Sequence, residues 1–562
     1  MSASLSLTAL RSHWLKALLV VVLLGAVVTV PAVFAGHDQY LGDDAFSLCG
    51  IVELTYRGLE AGDVTLYDLV VRRHIVLRDL VWPDGFDDPQ KAKVDLSMML
   101  MVLLRHVVSD ANAAYLATLM LYLSLNVLAV FLVLKKVFRL ADPLAAVFAV
   151  LPTTYPYFYY RLGHLTLFSF WQELLFIGLA VAFIERPRLH VALAIAAAVY
   201  LNLLMDPQTS YYLALSATPA LLGTFADRLR ALRLEGTAAR HRYLADLALF
   251  SALVLAGAAF IYDDFHHKLL RYLPSRPLSE LHFWRAPIHA LWSPPYSHIL
   301  FRAAGGRPPT TGGYFEKAIY LGDVLGLAAV TLAAVAARRW GAKGLAAEVL
   351  CDGLRRRFAL CGGVVFLTAV LVSVAPALRL DGVLYFFNQS GRVYARAISL
   401  AIVFLVVLFA VLVDRALAAG LVRSKLLVVS VLALIVLDTW PADFTAVRKR
   451  FESRPLEYTS LAALTTPGEV LLDHFGRDCL SYGFIFYKPL HALKDFNFEK
   501  VEHAWGAALL ADLRRYGVDY VLFCKHDRPH DLNLEKIRAL ATQFALPTLF
   551  ETDRALLVRV PR

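Results

Sequence analysis

The chain has 562 residues, 58% of them hydrophobic and only 18% charged, with a mean hydropathy of +0.57. That composition excludes an ordinary soluble protein and indicates an integral membrane protein. A formal net charge of +10 could suit a nucleic-acid partner, but the basic residues cluster in short loops between apolar stretches, so membrane topology accounts for them and no nucleic acid is implied.

In chain order, the first apolar stretch covers about 15–35. Arg11 and Lys16 precede it, and Ala32 and Ala35 resemble a cleavage site; its length and the many later spans favour a retained anchor over a signal peptide. Stretches near spanning length follow at 111–134, 143–160, 165–184, 189–205, 208–224, 244–261, 319–337, 358–377, 397–413 and 425–440, about eleven spans in all. The expected fold class is an α-helical polytopic membrane protein with a small C-terminal α/β extracytoplasmic domain, divided into 1–440 and 441–562.

With the N-terminus cytoplasmic, one set of loops collects Lys135, Lys136, Arg139, Arg186, Arg188, Arg228, Arg230, Arg338, Arg339, Arg415 and Arg423. Lys and Arg are retained on the inner side, so this orientation is the expected one, in the inner (plasma) membrane. It leaves the loop 36–110, the loop 262–318 and everything after 441 outside.

Directly behind the first span comes GHDQYLGDDAF, residues 36–46, with Asp38, Asp43 and Asp44. Loop carboxylates are ordinarily just solvated. Asp43 and Asp44, however, adjoin the apolar, helix-like segment AFSLCGIVELTYRGLEAG, and a helix N-terminus favours and orients an ionised carboxylate. Such a group can accept a proton from an alcohol or hold a divalent metal.

Further along, Arg161 and His164 fall in the outer loop before the fourth span. His164 can hydrogen-bond a phosphate or a hydroxyl, or simply pack at a helix start. Asp206 in LLMDPQTSYY reads first as a turn signal. In the loop 262–318, His266, His267, His282, His289 and His298 match no zinc spacing. Cations facing outward are Arg161, Lys268, Arg271, Lys317, Arg392 and Arg396. Arg392 and Arg396, at i and i+4, would share a helix face and suit a phosphate; headgroup snorkelling is the bland alternative for them, for Lys317 and for its neighbour Glu316.

After 441 the pattern changes. EVLLDHF (469–475) and VDYVLFCK (518–525) read as strands, and AWGAALLADLRRYG (504–517) as an amphipathic helix closed by Gly517. Cys479 and Cys524 either pair or remain thiols.

Several stretches carry a resemblance. GDDAFSLCGIVELTYRGLEAGD resembles the first outer loop of the GT-C membrane glycosyltransferases, such as the protein O-mannosyltransferases and the aminoarabinose transferase, whose motif is Asp-Glu followed by a small and an aromatic residue. Here the corresponding residues are Asp43-Asp44 and Ala45-Phe46. The segment from SDANAAYLATLM to LGHLTLFSFW is similar to the second to fourth spans of that superfamily. GGYFEKAIYLGDVLGLAAV resembles a Glu-x-x-x-Tyr-Leu-Gly element, FFNQSGRVYARAISLAIVF an Arg-containing span opening, and DLRRYGVDYVLF a terminal-domain strand.

The resemblance covers nearly the whole chain. It implies transfer of a sugar (hexosyl or pentosyl) from a polyprenyl-phosphate donor to a glycan, lipid or protein acceptor at the extracytoplasmic face, with inversion. Asp43 would be the general base, with Asp44 in support and Asp38 as second choice. Substrate contacts would fall to His164, Arg161, Arg392, Arg396, Glu316 and Lys317. Members often carry an acid where this chain has His164, which leaves metal use, Mg or Mn, undecided. Alternatives are a transporter or flippase of a lipid-linked saccharide and a non-catalytic cell-envelope assembly protein.

Overall fold

The computed structural model describes residues 39–40, 43–62, 64–72, 94–108, 111–159, 161–268, 278–293, 319–350, 353–380, 382–383, 385, 393–439, 449–450, 464, 469–473, 494–495, 506–524, 534–551 and 555–561. The chain forms two compact units, Met1–Phe34 with Leu119–Val447 and Ala35–Thr118 with Arg448–Arg562. The second unit is therefore discontinuous: the segment behind the first apolar stretch groups with the C-terminal residues.

In chain order, β1 (Gln39–Tyr40) leads into helix α1 (Asp43–Ala61), and α2 (Leu96–Arg105) follows. Asp95 caps α2, its Oδ1 accepting from Met98 N at 2.8 Å, which satisfies one of the orphan donors of the first turn. The division between the units crosses α3 (Ala111–Leu132), which widens into a π turn at Val133–Val137.

Among the described residues, the longer helices of the first unit that follow are α4 (Asp142–Val150), α5 (Trp171–Glu185), α6 (Leu189–Met205), α7 (Pro207–Glu235), α8 (Thr237–Lys268), α9 (Asp323–Leu350), α10 (Leu354–Val374), α11 (Ile398–Ala418) and α12 (Lys425–Thr439). Among the described residues, Ala111–Val137, Leu354–Val374 and Tyr394–Ala418 are long and apolar enough to cross a bilayer. Asp142–Thr154, Leu189–Met205 and Leu426–Thr439 are apolar but shorter.

Two of the expected spans are not continuous helices. Across 143–170 the chain passes from α4 through a 3-10 turn (Leu151–Thr154) and two four-residue helical pieces, Pro156–Tyr159 and Leu165–Phe168, before α5 begins. Pro152 and Pro156 remove donors from the ladder. Backbone that leaves the helix at membrane depth must find partners inside the protein. Asn126 of α3 supplies three: its Oδ1 accepts from Phe170 N (2.9 Å) and Trp171 N (3.0 Å), and its Nδ2 donates to Phe168 O (3.0 Å).

Close helix approach depends on small residues. A methyl group on Gly362 of α10 would stand 2.6 Å from Phe404 of α11, so the glycine sets that contact. At one end of the bundle, Arg357 of α10 pairs with Glu185 of α5 and, at 3.3 Å, with Asp227 of α7; Arg356 reaches the same Asp227 at 3.2 Å.

In the C-terminal part, β2 (Lys449–Arg450) pairs antiparallel with β1. A five-stranded sheet has the order β4-β3-β5-β7-β6, built from β3 (Val470–Asp473), β4 (Lys494–Asp495), β5 (Tyr520–Cys524), β6 (Thr548–Glu551) and β7 (Ala555–Arg559). β3 runs parallel to β4 and β5, while β7 is antiparallel to β5 and β6. Helices α13 (Ala507–Arg515) and α14 (Leu534–Gln543) accompany it. Leu509, Leu510 and Leu513 are buried on α13. That helix stops at Gly517, φ +69°, where Val518 N bonds Leu513 O and Gly517 N bonds Arg514 O, a Schellman motif.

Candidate functional site

The acidic stretch is built around α1, which opens at Asp43, so the Asp43-Asp44 pair forms its first turn. Immediately before it, Gln39 pairs with Arg450 and Tyr40 with Lys449, tying the approach to the acids to the start of the C-terminal segment. The helix is anchored further along its length. Cys49 and Val52 are buried, Cys49 Sγ donates to Ala111 O at 3.5 Å, and Glu53 receives a two-pronged contact from Arg105 of α2, Nε at 2.7 Å and Nη2 at 3.2 Å. The Arg105 guanidinium also lies 4.4 Å from the centre of the Tyr56 ring, and the hydrogen bond to Glu60 raises the pKa of the Tyr56 phenol above its ordinary value. A bidentate, partly buried pair of this kind fixes orientation as well as adding energy. Asp38 lies outside the described residues.

The basic residues belong to the first unit. Arg161 sits in the interrupted stretch between α4 and α5 and is 2% exposed; its Nη1 donates to Tyr157 O at 3.1 Å, and its guanidinium stacks 3.9 Å from the centre of the Tyr157 ring. It therefore does not snorkel to headgroups. Tyr157 in turn donates its hydroxyl to Arg396 O at 3.2 Å. Arg396, 8% exposed, donates from Nη1 to Gln208 Oε1 at 3.0 Å. Arg161, Tyr157, Arg396 and Gln208 thus form one connected group.

Arg396 lies in a 3-10 turn (Tyr394–Ala397) ahead of α11. His164 precedes the Leu165–Phe168 piece and serves it through its backbone, its carbonyl accepting from Leu167 N and Phe168 N. Arg392, Glu316 and Lys317 lie outside the described residues.

The end of the Glu-x-x-x-Tyr-Leu-Gly element has a physical reason. Tyr320 donates its hydroxyl to Asp438 Oδ1 at 2.7 Å and accepts from Asp323 N at 3.0 Å, while Asp438 Oδ2 accepts from Val324 N at 2.9 Å. Gly322 takes φ +86°, and a Cβ there would meet Tyr155 Oη at 3.2 Å. Tyrosine, glycine and the aspartate of α12 together cap α9.

Asn126, Tyr157, Gln208 and Asp438 are the members that the sequence did not single out. Their signal was available as polar groups within or beside apolar spans, which are rarely there without a task. Among the described residues, no three His, Cys, Asp or Glu side chains gather as a metal cluster.

No protein-family model and no curated relative matches the chain. Solved structures do. The arabinofuranosyltransferase AftD from Mycobacteria matches at 14% identity and TM-score 0.46, over 92% of this chain and 40% of that one. A mutant form of AftD matches at 13% identity and TM-score 0.50, over 98% and 42%. ArnT from Cupriavidus metallidurans bound to undecaprenyl phosphate matches at 13% identity and TM-score 0.39, over 97% and 98%. The chain spans about two fifths of AftD. AftD and ArnT both belong to the GT-C superfamily of membrane glycosyltransferases. At such identity the match at TM-score 0.50 is a likeness of fold alone.

Proposed function

We propose that this membrane protein is a glycosyltransferase that moves a sugar from a polyprenyl-phosphate-linked donor to a glycan, lipid or protein acceptor at the extracytoplasmic face. The reading rests on the shared fold and on one observation above the others: the Asp43-Asp44 pair opens a helix that is anchored to α2 through Glu53 and Arg105. In the mechanism, the Asp43 carboxylate takes the proton of the acceptor hydroxyl as its oxygen attacks the anomeric carbon, and the lipid phosphate departs from the opposite side with inversion. A phosphate is a good leaving group, so a base and favourable electrostatics suffice. The resemblance assigns that anion to cationic side chains, and a guanidinium presents paired donors to phosphate oxygens. Asp44 supports Asp43, and the C-terminal segment, whose β2 pairs with β1 just before the acids, shapes the acceptor side.

The test is transfer of radiolabelled sugar from a panel of polyprenyl-phosphate donors by membranes carrying the wild type, Asp43→Asn or Asp38→Asn at equal protein level. Transfer that only Asp43→Asn abolishes supports both the activity and its base; transfer undiminished in Asp43→Asn removes the base. A second reading, passage of a lipid-linked saccharide, draws on the interrupted helices at 151–170 with Arg161 buried among them, a feature of transporters. Movement of a labelled donor across vesicles without any transfer favours it.

A further inference from the structure

Glu173 lies in the first turn of α5 and is 3% exposed. Its Oε2 is buried, and no described residue donates to it. Asn202, in the last turn of α6, is 4% exposed. Its Nδ2 donates to Gln172 O at 3.1 Å and to Ala198 O at 2.8 Å, which holds the amide beside the Gln172-Glu173 backbone, and its Oδ1 is likewise buried without a described donor. One turn on, Asp206 N donates to Asn202 O at 3.1 Å. The Asp206 carboxylate acts on Glu173 through its charge, and Asp206 is half-buried, so the group retains a route to the surface.

A buried carboxyl oxygen and a buried amide oxygen, both acceptors without a described donor and held at the start of α5 and the end of α6, make a pocket that lacks a positive partner. The donor set is all oxygen, which suits a hard cation and not zinc or copper. We propose that Glu173, Asp206 and Asn202 hold a divalent cation such as Mg²⁺, Mn²⁺ or Ca²⁺, completed by water on the Asp206 side. The ion ties the start of α5 to the α6–α7 corner. That corner also carries Gln208, whose backbone N–H bonds Asp206 Oδ1 at 3.0 Å and whose side chain accepts from Arg396. Occupancy therefore fixes where the Arg396 guanidinium stands. Glu173, Asn202 and Asp206 are positioning residues in this scheme.

The experiment uses the purified full chain in lipid nanodiscs with Mn²⁺ alone as probe, counted by electron paramagnetic resonance. Wild type should bind Mn²⁺ at a site that weakens by about tenfold or more in Glu173→Gln and in Asp206→Asn, and that tightens in Asn202→Asp, which adds a charge. Asp43→Asn serves as the control that separates any ion held by the acidic stretch of α1. Glu173→Gln mimics the protonated acid in shape, so it should fold, and its thermal midpoint should lose the rise that Mn²⁺ gives the wild type. No bound Mn²⁺ above empty nanodiscs, or binding that all three variants leave unchanged, overturns the proposal. A Glu173→Gln midpoint that Mn²⁺ raises as much as the wild type's also overturns it, and means that the carboxyl carries a proton. None of these readings needs a sugar donor, so failure here and failure of the transfer reaction are separate results.

Discussion

Glu173 and Glu185 stand on the same helix, about 18 Å apart along its axis at ~1.5 Å per residue, and their surroundings are opposite. Glu185 meets Arg357, which also binds Asp227, while Arg356 adds a second contact to Asp227. Glu173 is more deeply buried and has a carboxyl oxygen to which no described residue donates. One end of the bundle answers each acid with an arginine. The other end keeps Glu173, Asp206, Arg161 and Arg396 within a region of broken helices and side-chain amides. A fold stabilises itself where its charges are matched, and a buried acid such as Glu173, with a carboxyl oxygen that has no described donor, marks a candidate binding position.

The largest effect should come from the matched end. Arg357→Ala leaves Glu185 and Asp227 facing each other without their shared partner, and removing one member of a buried pair is far worse than never having had it. A loss of about 3 kcal/mol is expected, measured by chemical denaturation in mixed micelles. Glu173→Gln in metal-free buffer should change stability by less than about 1 kcal/mol, because an amide replaces a carboxyl oxygen to which no described residue donates. If the two substitutions prove equally harmful, the contrast between the two ends is wrong.

Next in size is Gly362→Ala. The added methyl would meet Phe404 at 2.6 Å, and overpacking of a buried contact costs about 1–3 kcal/mol. Gly362 faces Phe404 of α11, so the loss should appear in stability and leave the Mn²⁺ affinity of the folded fraction unchanged. A shift in Mn²⁺ affinity would show that the α10–α11 contact and the α5–α7 corner are coupled.

The sequence made the hydrophobic stretches plain, because a bilayer demands a length and an apolar composition that short soluble elements lack. It also located the Gly517 stop, since a left-handed residue after an amphipathic helix has few alternatives. Asp206 read as a turn, and its carboxylate indeed caps α7. The span-length reading ran through the breaks across 151–170, although Pro152, Pro156 and Gly163 stand there as turn signals. What permits the breaks is Asn126, some forty positions earlier. Likewise Arg161 and Arg396 were legible as cations, but whether they reach out to headgroups or turn inward depends on Tyr157 and Gln208, which come from other elements. Long-range partners of this sort leave no local periodicity to read.

Asn126→Leu tests that dependence. It strips the caps from the start of α5 while keeping the side chain's approximate volume, so Phe170 N, Trp171 N and Phe168 O lose their partner. Polar contacts between membrane helices contribute about 0.6–2 kcal/mol each, and because one side chain serves all three groups, a loss of about 2 kcal/mol is expected. The loss should be accompanied by faster hydrogen exchange at Phe170 and Trp171, and by weaker Mn²⁺ binding, since Glu173 sits on the same turn.

The smallest effect expected is that of Tyr320→Phe. The phenol gives one hydrogen bond to Asp438 and accepts one from Asp323 N, but Asp438 retains its bond from Val324 N, so the cap of α9 survives in part. About 1 kcal/mol should be lost. Asp438→Asn keeps acceptor geometry on one oxygen only and should lose somewhat more, whereas Gly322→Ala adds backbone strain at φ +86° and crowds Tyr155. The ranking matters more than the sizes: Tyr320→Phe milder than Asp438→Asn, with neither changing Mn²⁺ affinity, would make this cap a matched feature like the Arg357 network. Altered Mn²⁺ binding in Tyr320→Phe would instead draw the α9 cap into the unmatched end, and the division between the two kinds of region would have to be redrawn there.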